Sequence, residues 1–231
     1  MKYKRITNGI FLSRPNRFIA KVEIDGKEET VHVKNTGRCK ELLIPGVTVY
    51  LSISDNPSRK TAFDLVAVEK KREHKPPLLV NMDSQVPNYA AEEWLKKGVL
   101  FSENAVIKRE VTYGKSRFDF YIEDGERKIF LEVKGVTLEN DGIASFPDAP
   151  TERGVKHINE LVASVENGFE AYILFVVQMN EIELMTPNDI THKAFGDALR
   201  NAQKKGVNIL AVDCKVTPQT IECNNFVKIK L

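Results

Sequence analysis

A hairpin-forming stretch near the middle of the chain constrains the fold more than any other part of the sequence. Residues 116–122 and 129–134 are two runs rich in aromatic and β-branched residues, with Asp124-Gly125 between them. An Asp-Gly pair flanked by such runs is a strong short-range signal for a β-hairpin. The sequence therefore predicts two adjacent antiparallel strands made largely of residues that prefer burial.

The expected register brings two acids and a lysine to one face of this hairpin. With the turn at the Asp-Gly pair, Asp119 faces Phe130 on the opposite strand. Because side chains alternate with a period of two, Glu132 and Lys134 share the face of Asp119. Glu132 is then the diagonal neighbour of Asp119, roughly 7–8 Å away at the backbone. A three-residue loop would instead place the two carboxylates on opposite faces.

Two carboxylates beside a lysine suggest metal-ion chemistry. Asp119 and Glu132 suit Mg²⁺ or Mn²⁺, hard cations that take oxygen ligands and retain several waters. Such an ion polarises a phosphodiester and lowers the pKa of a bound water, while Lys134 would orient that water or neutralise developing charge. The alternative is a solvated hairpin face on which Glu132 and Lys134 form an ordinary ion pair. The preceding Asp119 and the α/β pattern that follows favour the metal site.

Asp119 followed by Glu132-x-Lys134 resembles the signature of the PD-(D/E)XK nuclease superfamily, although Phe118 stands where a proline usually precedes the aspartate. Over its whole length the chain resembles the sugar fermentation stimulation protein family. The matching stretches are residues 35–38 (NTGR), 113–120 (YGKSRFDF), 132–138 (EVKGVTL), 146–154 (FPDAPTERG) and Lys156-His157. Because they extend across most of the chain, this match is more specific than the short nuclease signature.

The family resemblance implies a two-domain chain of α+β and α/β character. An N-terminal OB-like β-barrel would be joined to a C-terminal restriction-endonuclease-like (PD-(D/E)XK) α/β domain with a mixed sheet. Non-specific DNA binding is implied, with Asp119, Glu132 and Lys134 as catalytic residues and the first two as metal ligands. The alternative is a non-catalytic DNA-binding regulator of sugar (maltose) metabolism genes that retains the nuclease-like fold.

The pattern of elements divides the chain at a basic segment. Residues 1–70 contain about five short strands, which suit a small closed barrel, and the resemblance favours the OB form. Residues 71–80 carry charges followed by Pro76-Pro77 and predict an extended linker. Residues 81–231 predict a helix capped by Asn88, three antiparallel strands, and then alternating helices and strands. That order is typical of a mixed-sheet α/β domain.

Two basic clusters are candidate contacts with nucleic acid. In the first, Gly37 permits a tight loop that would present Arg38, with a purely structural turn as the alternative. The second lies in the first turns of a helix capped by Thr151, where the helix N-terminus would assist phosphate binding. The candidate residues are Asn35, Arg38, Arg153, Lys156 and His157.

Composition limits the remaining choices. The formal net charge of +2 is nearly balanced, so a DNA surface must come from local clustering. Cys39, Cys214 and Cys223 lack Cys-x-x-Cys spacing and suit reduced thiols in a cytoplasmic protein. No stretch approaches the roughly 18–20 apolar residues that cross a membrane. The implied partner is DNA, with single-stranded DNA or RNA left open, and the oligomeric state is open, a homodimer included.

Overall fold

The structure, a computed structural model, describes residues 1–35 and 37–231. Its N-terminal part is built from β1 (Ile6–Asn16), β2 (Ile19–Ile24), β3 (Lys27–Val33), β4 (Thr48–Ile53), β5 (Phe63–Arg72) and β6 (Lys75–Asn81). These strands pair in the order β3-β2-β1-β4-β5-β6, and β3 also pairs in parallel with β5. In β2, Ala20, Val22 and Ile24 are buried and alternate with more exposed residues. This alternation lines an apolar interior, as the sequence pattern predicts.

The predicted extended linker at residues 71–80 is wrong, because most of this segment belongs to a strand pair. β5 continues to Arg72, the chain turns through His74, which has a φ of +58°, and β6 returns antiparallel to β5. Pro76 and Pro77 are accommodated because β6 is the edge strand and its pairing with β5 is irregular at this point. A proline at an edge or bulge removes no ladder hydrogen bond from the sheet interior.

The C-terminal part contains α1 (Val86–Leu95), β7 (Val106–Tyr113), β8 (Ser116–Asp124), β9 (Arg127–Val136), β10 (Leu138–Asn140), β11 (Ile143–Phe146), α2 (Glu152–Glu166), β12 (Glu170–Val177), β13 (Leu184–Pro187), α3 (Asp189–Lys204), β14 (Asn208–Val216), β15 (Ile221–Phe226) and β16 (Lys228–Ile229). Its main sheet has the order β15-β14-β12-β9-β8-β7, and a smaller sheet has the order β10-β11-β13-β16. β12 runs parallel to β9 and β14, whereas the pairs at both edges are antiparallel. The predicted mixed sheet is confirmed.

Helices cover both faces of the main sheet. Trp94 and Leu95 of α1 pack in one buried cluster with Phe120 of β8. Leu161 of α2 and Phe195 of α3 lie in the other cluster, which continues into the interior of the N-terminal domain. The central strands are therefore enclosed on both sides, which explains the nearly unbroken apolar sequence of β12. Within the described residues, no helix combines the length and apolar character needed to cross a bilayer.

The turn of the β8–β9 hairpin lies one residue later than the sequence suggests. Asp124 pairs with Arg127 and Tyr121 pairs with Phe130, so the expected pairing of Asp119 with Phe130 is wrong. The two-residue loop is Gly125-Glu126, and Gly125 has a φ of +64°. A two-residue loop in which only the first residue has a positive φ favours glycine at that position, which makes Asp124 the last residue of β8.

Candidate functional site

The candidate site lies where β8 and β9 separate from each other. The two strands are paired from Asp124–Arg127 as far as Phe120–Leu131, and the next residues are Asp119 and Glu132. Here the Oδ2 atom of Asp119 accepts a hydrogen bond from the Val133 backbone N–H at 2.7 Å. The Asp119 carboxylate thus takes a backbone donor of β9 directly beside Glu132. The two acids meet at this gap and not through the diagonal pairing that the sequence predicts.

Asn88 orients Asp119, a role that the sequence analysis missed. Its Nδ2 donates to the Oδ1 atom of Asp119 at 2.7 Å. The prediction that Asn88 caps α1 is wrong, because the helix already begins at Val86 with a proline in its first turn. Helical spacing could have revealed this role. Asn88 precedes the buried Ala91 by three positions and the buried Leu95 by seven, so it lies on the buried face of α1.

Glu132 is the most deeply buried acid of the site, with only 3% of its surface exposed. Its Oε1 atom accepts hydrogen bonds from Lys134 Nζ at 2.5 Å and from His157 Nδ1. Its Oε2 atom is also buried, but it has no hydrogen-bond partner among the described residues. A buried carboxylate oxygen without a partner is costly unless a ligand completes it.

His157 does not lie where a phosphate-gripping residue is expected. It is buried in α2, with its Nδ1 atom on Glu132 and its ring edge-on to Phe118. Its Nε2 atom accepts from Arg153 Nε at 3.4 Å. Because the carboxylate needs a donor and the guanidinium needs an acceptor, this pattern fits a neutral ring with its proton on Nδ1. His157 is therefore placed to position Glu132, although the sequence predicts a contact with nucleic acid.

The pKa values of the two carboxylates are shifted in opposite directions. Burial and the neighbouring charge of Glu132 raise the pKa of Asp119 to about 6, against the opposing effects of Val133 N–H, Lys134 and Asn88. Burial would also raise the pKa of Glu132, but its hydrogen bond with His157 and the charge of Lys134 outweigh burial and lower it. At neutral pH both groups are largely ionised, which leaves concentrated negative charge at the gap.

The donor set fits a hard divalent cation with a partial hydration shell. Two carboxylates from adjacent strands are present, and the Oε2 atom of Glu132 is buried and lacks a partner. Among the described residues, no three His, Cys, Asp or Glu side chains are grouped as a complete metal cage. Mg²⁺ and Mn²⁺ commonly use one or two protein carboxylates and take their remaining ligands from water or substrate. Asp119 and Glu132 would be the ligands of such an ion.

Two of the predicted basic residues lie on the exposed start of α2. Thr151 caps this helix, and its hydroxyl accepts from the Gly154 backbone N–H at 3.0 Å, as predicted. Arg153 is exposed and contacts His157, so it connects solvent with the buried acid. Lys156 is also exposed, and its Nζ donates to the Lys115 carbonyl at 2.8 Å. Both remain predicted nucleic-acid contacts.

The loop that contains Asn35 and Arg38 lies where the two domains touch. Asn35 is used structurally, because its amide donates to the Met82 carbonyl and its Oδ1 accepts from the Gly37 N–H. Arg38 is exposed, and its backbone N–H donates to Asp148 Oδ2 at 3.1 Å. Thr36, which belongs to the same sequence motif, lies outside the described residues.

Comparison with known proteins agrees with this architecture. The family descriptions "SfsA N-terminal OB domain" and "Sugar fermentation stimulation protein RE domain" match residues 12–75 and 85–220. Sugar fermentation stimulation protein homologs from Desulfitobacterium hafniense and Ruminiclostridium cellulolyticum are 62% and 58% identical. The first match covers 100% of this chain and 99% of the relative, and the second covers 100% of both.

A solved structure is also similar over the full length. It is described as Pyrococcus furiosus SfsA in complex with Ca²⁺, and it has a TM-score of 0.88 and 29% sequence identity. The match covers 100% of this chain and 98% of that chain. This structural match and the two matching domain descriptions show that the chain belongs to the sugar fermentation stimulation protein family. It has an N-terminal OB domain and a C-terminal mixed-sheet domain.

Proposed function

We propose that this protein binds DNA without sequence specificity and hydrolyses phosphodiester bonds at a divalent-metal site of the PD-(D/E)XK type. The observation that carries the proposal is the buried, unpartnered Oε2 atom of Glu132 beside Asp119. An enclosed acid with an unsatisfied oxygen is a costly arrangement, and a hard cation would relieve that cost. The N-terminal domain would be a closed OB barrel, a form supported by the pairing of β3 with β5.

Each side chain of the site would have a separate role. Asp119 and Glu132 would hold Mg²⁺ or Mn²⁺, which when bound supplies a Lewis acid and lowers the pKa of a bound water. Lys134, held against Glu132 Oε1, would place an ammonium beside the attacked phosphate and would offset negative charge that develops there. Asn88 and His157 fix the two carboxylates from α1 and α2. Exposed Arg153 would contact the phosphate.

The relative from Pyrococcus furiosus gives independent support for a divalent cation. Its structure is described as a complex with Ca²⁺. Ca²⁺, Mg²⁺ and Mn²⁺ all prefer oxygen ligands, although they differ in coordination number and rigidity. A Ca²⁺-binding relative of the same fold therefore supports the choice of ion class for Asp119 and Glu132. A cytoplasmic location is part of the proposal, supported by three free buried cysteines among the described residues.

Cleavage assays with purified protein test the proposed function. Single- and double-stranded DNA and RNA are incubated with Mn²⁺, Mg²⁺ or EDTA, and products are resolved on denaturing gels. We expect metal-dependent cleavage by the wild type, loss of cleavage in Glu132→Ala and Lys134→Ala, and DNA binding in both variants. Lys134→Ala should still bind Mn²⁺ in a calorimetric titration. Equal degradation by wild type and Glu132→Ala would assign the activity to a contaminant or another site.

A non-catalytic DNA-binding regulator of sugar (maltose) metabolism genes is the second candidate. Both oxygens of Asp119 and the Oε1 atom of Glu132 already accept hydrogen bonds within the protein. Carboxylates that are hydrogen-bonded within the protein would suit a site that keeps its structure without performing chemistry. DNA binding with no cleavage of any polynucleotide in Mn²⁺ would favour the regulator over the nuclease.

A further inference from the structure

Two adjoining cavities extend from the OB domain into the space between the two domains. The first, about 400 Å³, is lined by residues of the OB domain that include Arg17, Arg38 and Lys40. The second, about 280 Å³, lies between the domains and reaches Gly135, the residue that follows Lys134. Gly37 lines both cavities. We call this path, from Arg17 past Gly37 to Gly135, the interdomain track.

The outer part of the track carries positive charge without acidic partners. Arg17, Arg38 and Lys40 are exposed, and none forms an ion pair with another described residue. On α3, by contrast, Lys193 pairs with Asp197 at 2.5 Å. Cations that are not neutralised within the protein are the ones available to an anionic ligand.

An exposed aromatic ring lies beside these cations. Phe18 is 45% exposed, and the guanidinium of Arg17 lies 4.8 Å from its ring centroid. A solvent-facing ring next to a basic groove is the combination used to stack successive unpaired bases while cations contact the backbone. Phe18 belongs to neither of the two buried hydrophobic clusters.

The middle of the track is held in a fixed shape. Arg14 donates to the carbonyl oxygens of Arg17, Asn35, Gly37 and Arg38, at distances of 2.7–3.0 Å. A Cβ atom at Gly37 would lie 2.4 Å from Asp148 Oδ2, so a larger residue there would displace the carboxylate that accepts from the Arg38 N–H. The loop is thus organised before a ligand arrives, which reduces the entropy lost on binding.

We propose that single-stranded nucleic acid binds along the interdomain track, with a base stacked on Phe18 and the strand continuing between the domains towards β9. The direction rests on the proposed function, but occupation of the track does not require cleavage. In a duplex the bases are stacked and paired inside the helix, so none is free to cover Phe18 or enter a cavity of about 280 Å³. The unpaired strand is therefore the form of nucleic acid that fits.

Fluorescence anisotropy in EDTA tests the proposal without cleavage. A labelled single-stranded oligonucleotide should bind the wild type more tightly than a duplex of equal length. Phe18→Leu retains an apolar side chain but removes the ring, and it should weaken single-strand binding by about tenfold. Phe18→Trp should retain binding, because it restores a stacking surface. Circular dichroism and thermal unfolding would establish that both variants are folded.

The salt dependence of binding tests the charged part of the track. Replacing Arg17, Arg38 and Lys40 together by alanine should reduce the slope of log K against log salt by about 2, since each phosphate contact of a single strand contributes roughly 0.7. A matched control replaces the exposed lysines Lys27, Lys204 and Lys228, and should leave the slope unchanged. Lys27 lies at the far end of β3 from this loop, roughly 20 Å away along the strand.

The outcomes separate this inference from the proposed nuclease. Equal affinity for single strand and duplex, or wild-type binding by Phe18→Leu, would overturn the track. Equal losses in the track triple variant and the control triple variant would overturn it as well, by showing diffuse electrostatics. Selective loss of single-strand binding in a protein that never cleaves would support the track and refute the nuclease.

Discussion

The two ends of the β8–β9 hairpin both carry charged clusters, yet they are built differently. At the turn, Asp124 accepts hydrogen bonds from the Ser102 hydroxyl and backbone, and Arg127 donates to both oxygens of Glu170 at 2.7 Å. This turn cluster is partly exposed, and each of its acids has a donor. Such pairs are worth little to stability in water.

The opposite end is buried and contains an unsatisfied acid. Glu132 shares its Oε1 atom between Lys134 and His157, while its Oε2 atom has no partner within the described residues. Burial raises the pKa of Asp119 at this end, whereas hydrogen bonds from Ser102 lower the pKa of Asp124 at the turn. Burial combined with an unpaired carboxylate oxygen, and not charge alone, therefore identifies the candidate site.

Substitutions at the two ends of the hairpin should differ most in their effect on metal-dependent cleavage. Glu132→Gln removes a proposed ligand charge and should lower the cleavage rate by about 10²–10³-fold or more. Glu170→Gln at the turn should change the rate by less than about twofold, because its ion pair is partly exposed. Initial rates in Mn²⁺ on one DNA substrate measure both. Equal rates for the two variants would remove the distinction between the hairpin ends.

Stability should show the next contrast. Lys134→Ala leaves the buried Glu132 charge with His157 as its remaining donor and should reduce the free energy of unfolding by about 3 kcal/mol. Arg127→Ala breaks an exposed pair and should cost about 1 kcal/mol or less. Urea unfolding followed by circular dichroism compares them. A greater loss in Arg127→Ala would contradict the assignment of the strongly coupled charges to the buried end.

The pH dependence should also differ between the ends. Because the pKa of Asp119 is about 6, its carboxyl gains a proton as pH falls through that value and then competes with a metal ion. Apparent Mn²⁺ affinity should therefore fall by about tenfold per pH unit below pH 6. Calorimetry between pH 5 and 8 tests this, and carboxyl ¹³C shifts should show Asp124 ionised throughout. Unchanged affinity at pH 5 would exclude Asp119 as a ligand.

The smallest contrast concerns the hydrogen bonds that orient each acid. Asn88→Ala removes the donor to Asp119 Oδ1 and should weaken Mn²⁺ binding or cleavage by about fivefold, equivalent to about 1 kcal/mol. Ser102→Ala removes the hydroxyl donor to Asp124 and should leave both properties unchanged. An effect of Ser102→Ala as large as that of Asn88→Ala would show that cleavage depends on the hairpin as a whole.

Much of the C-terminal fold could be predicted because local patterns and tertiary contacts agree there. The Asp-Gly pair predicts the hairpin, and the Thr151 cap and apolar spacing predict α2. The prediction failed where local signals conflict with tertiary contacts. Pro76 and Pro77 suggest a linker, but an edge strand accepts them. Asn88 suits a helix cap, but its amide serves Asp119 instead.

The amino-acid sequence was sufficient to identify the family, the order of the main helices and strands of the C-terminal domain, and the site candidates Asp119, Glu132 and Lys134. It did not reveal the short strands β10, β11 and β13. How the two acids meet is visible only in the folded protein, because the gap between β8 and β9 depends on strand register and on helices packed from both faces. His157, predicted to contact phosphate, is buried and hydrogen-bonded to Glu132 instead. Solvent exposure and contacts between distant residues are properties of the folded chain, so local sequence patterns could not supply them.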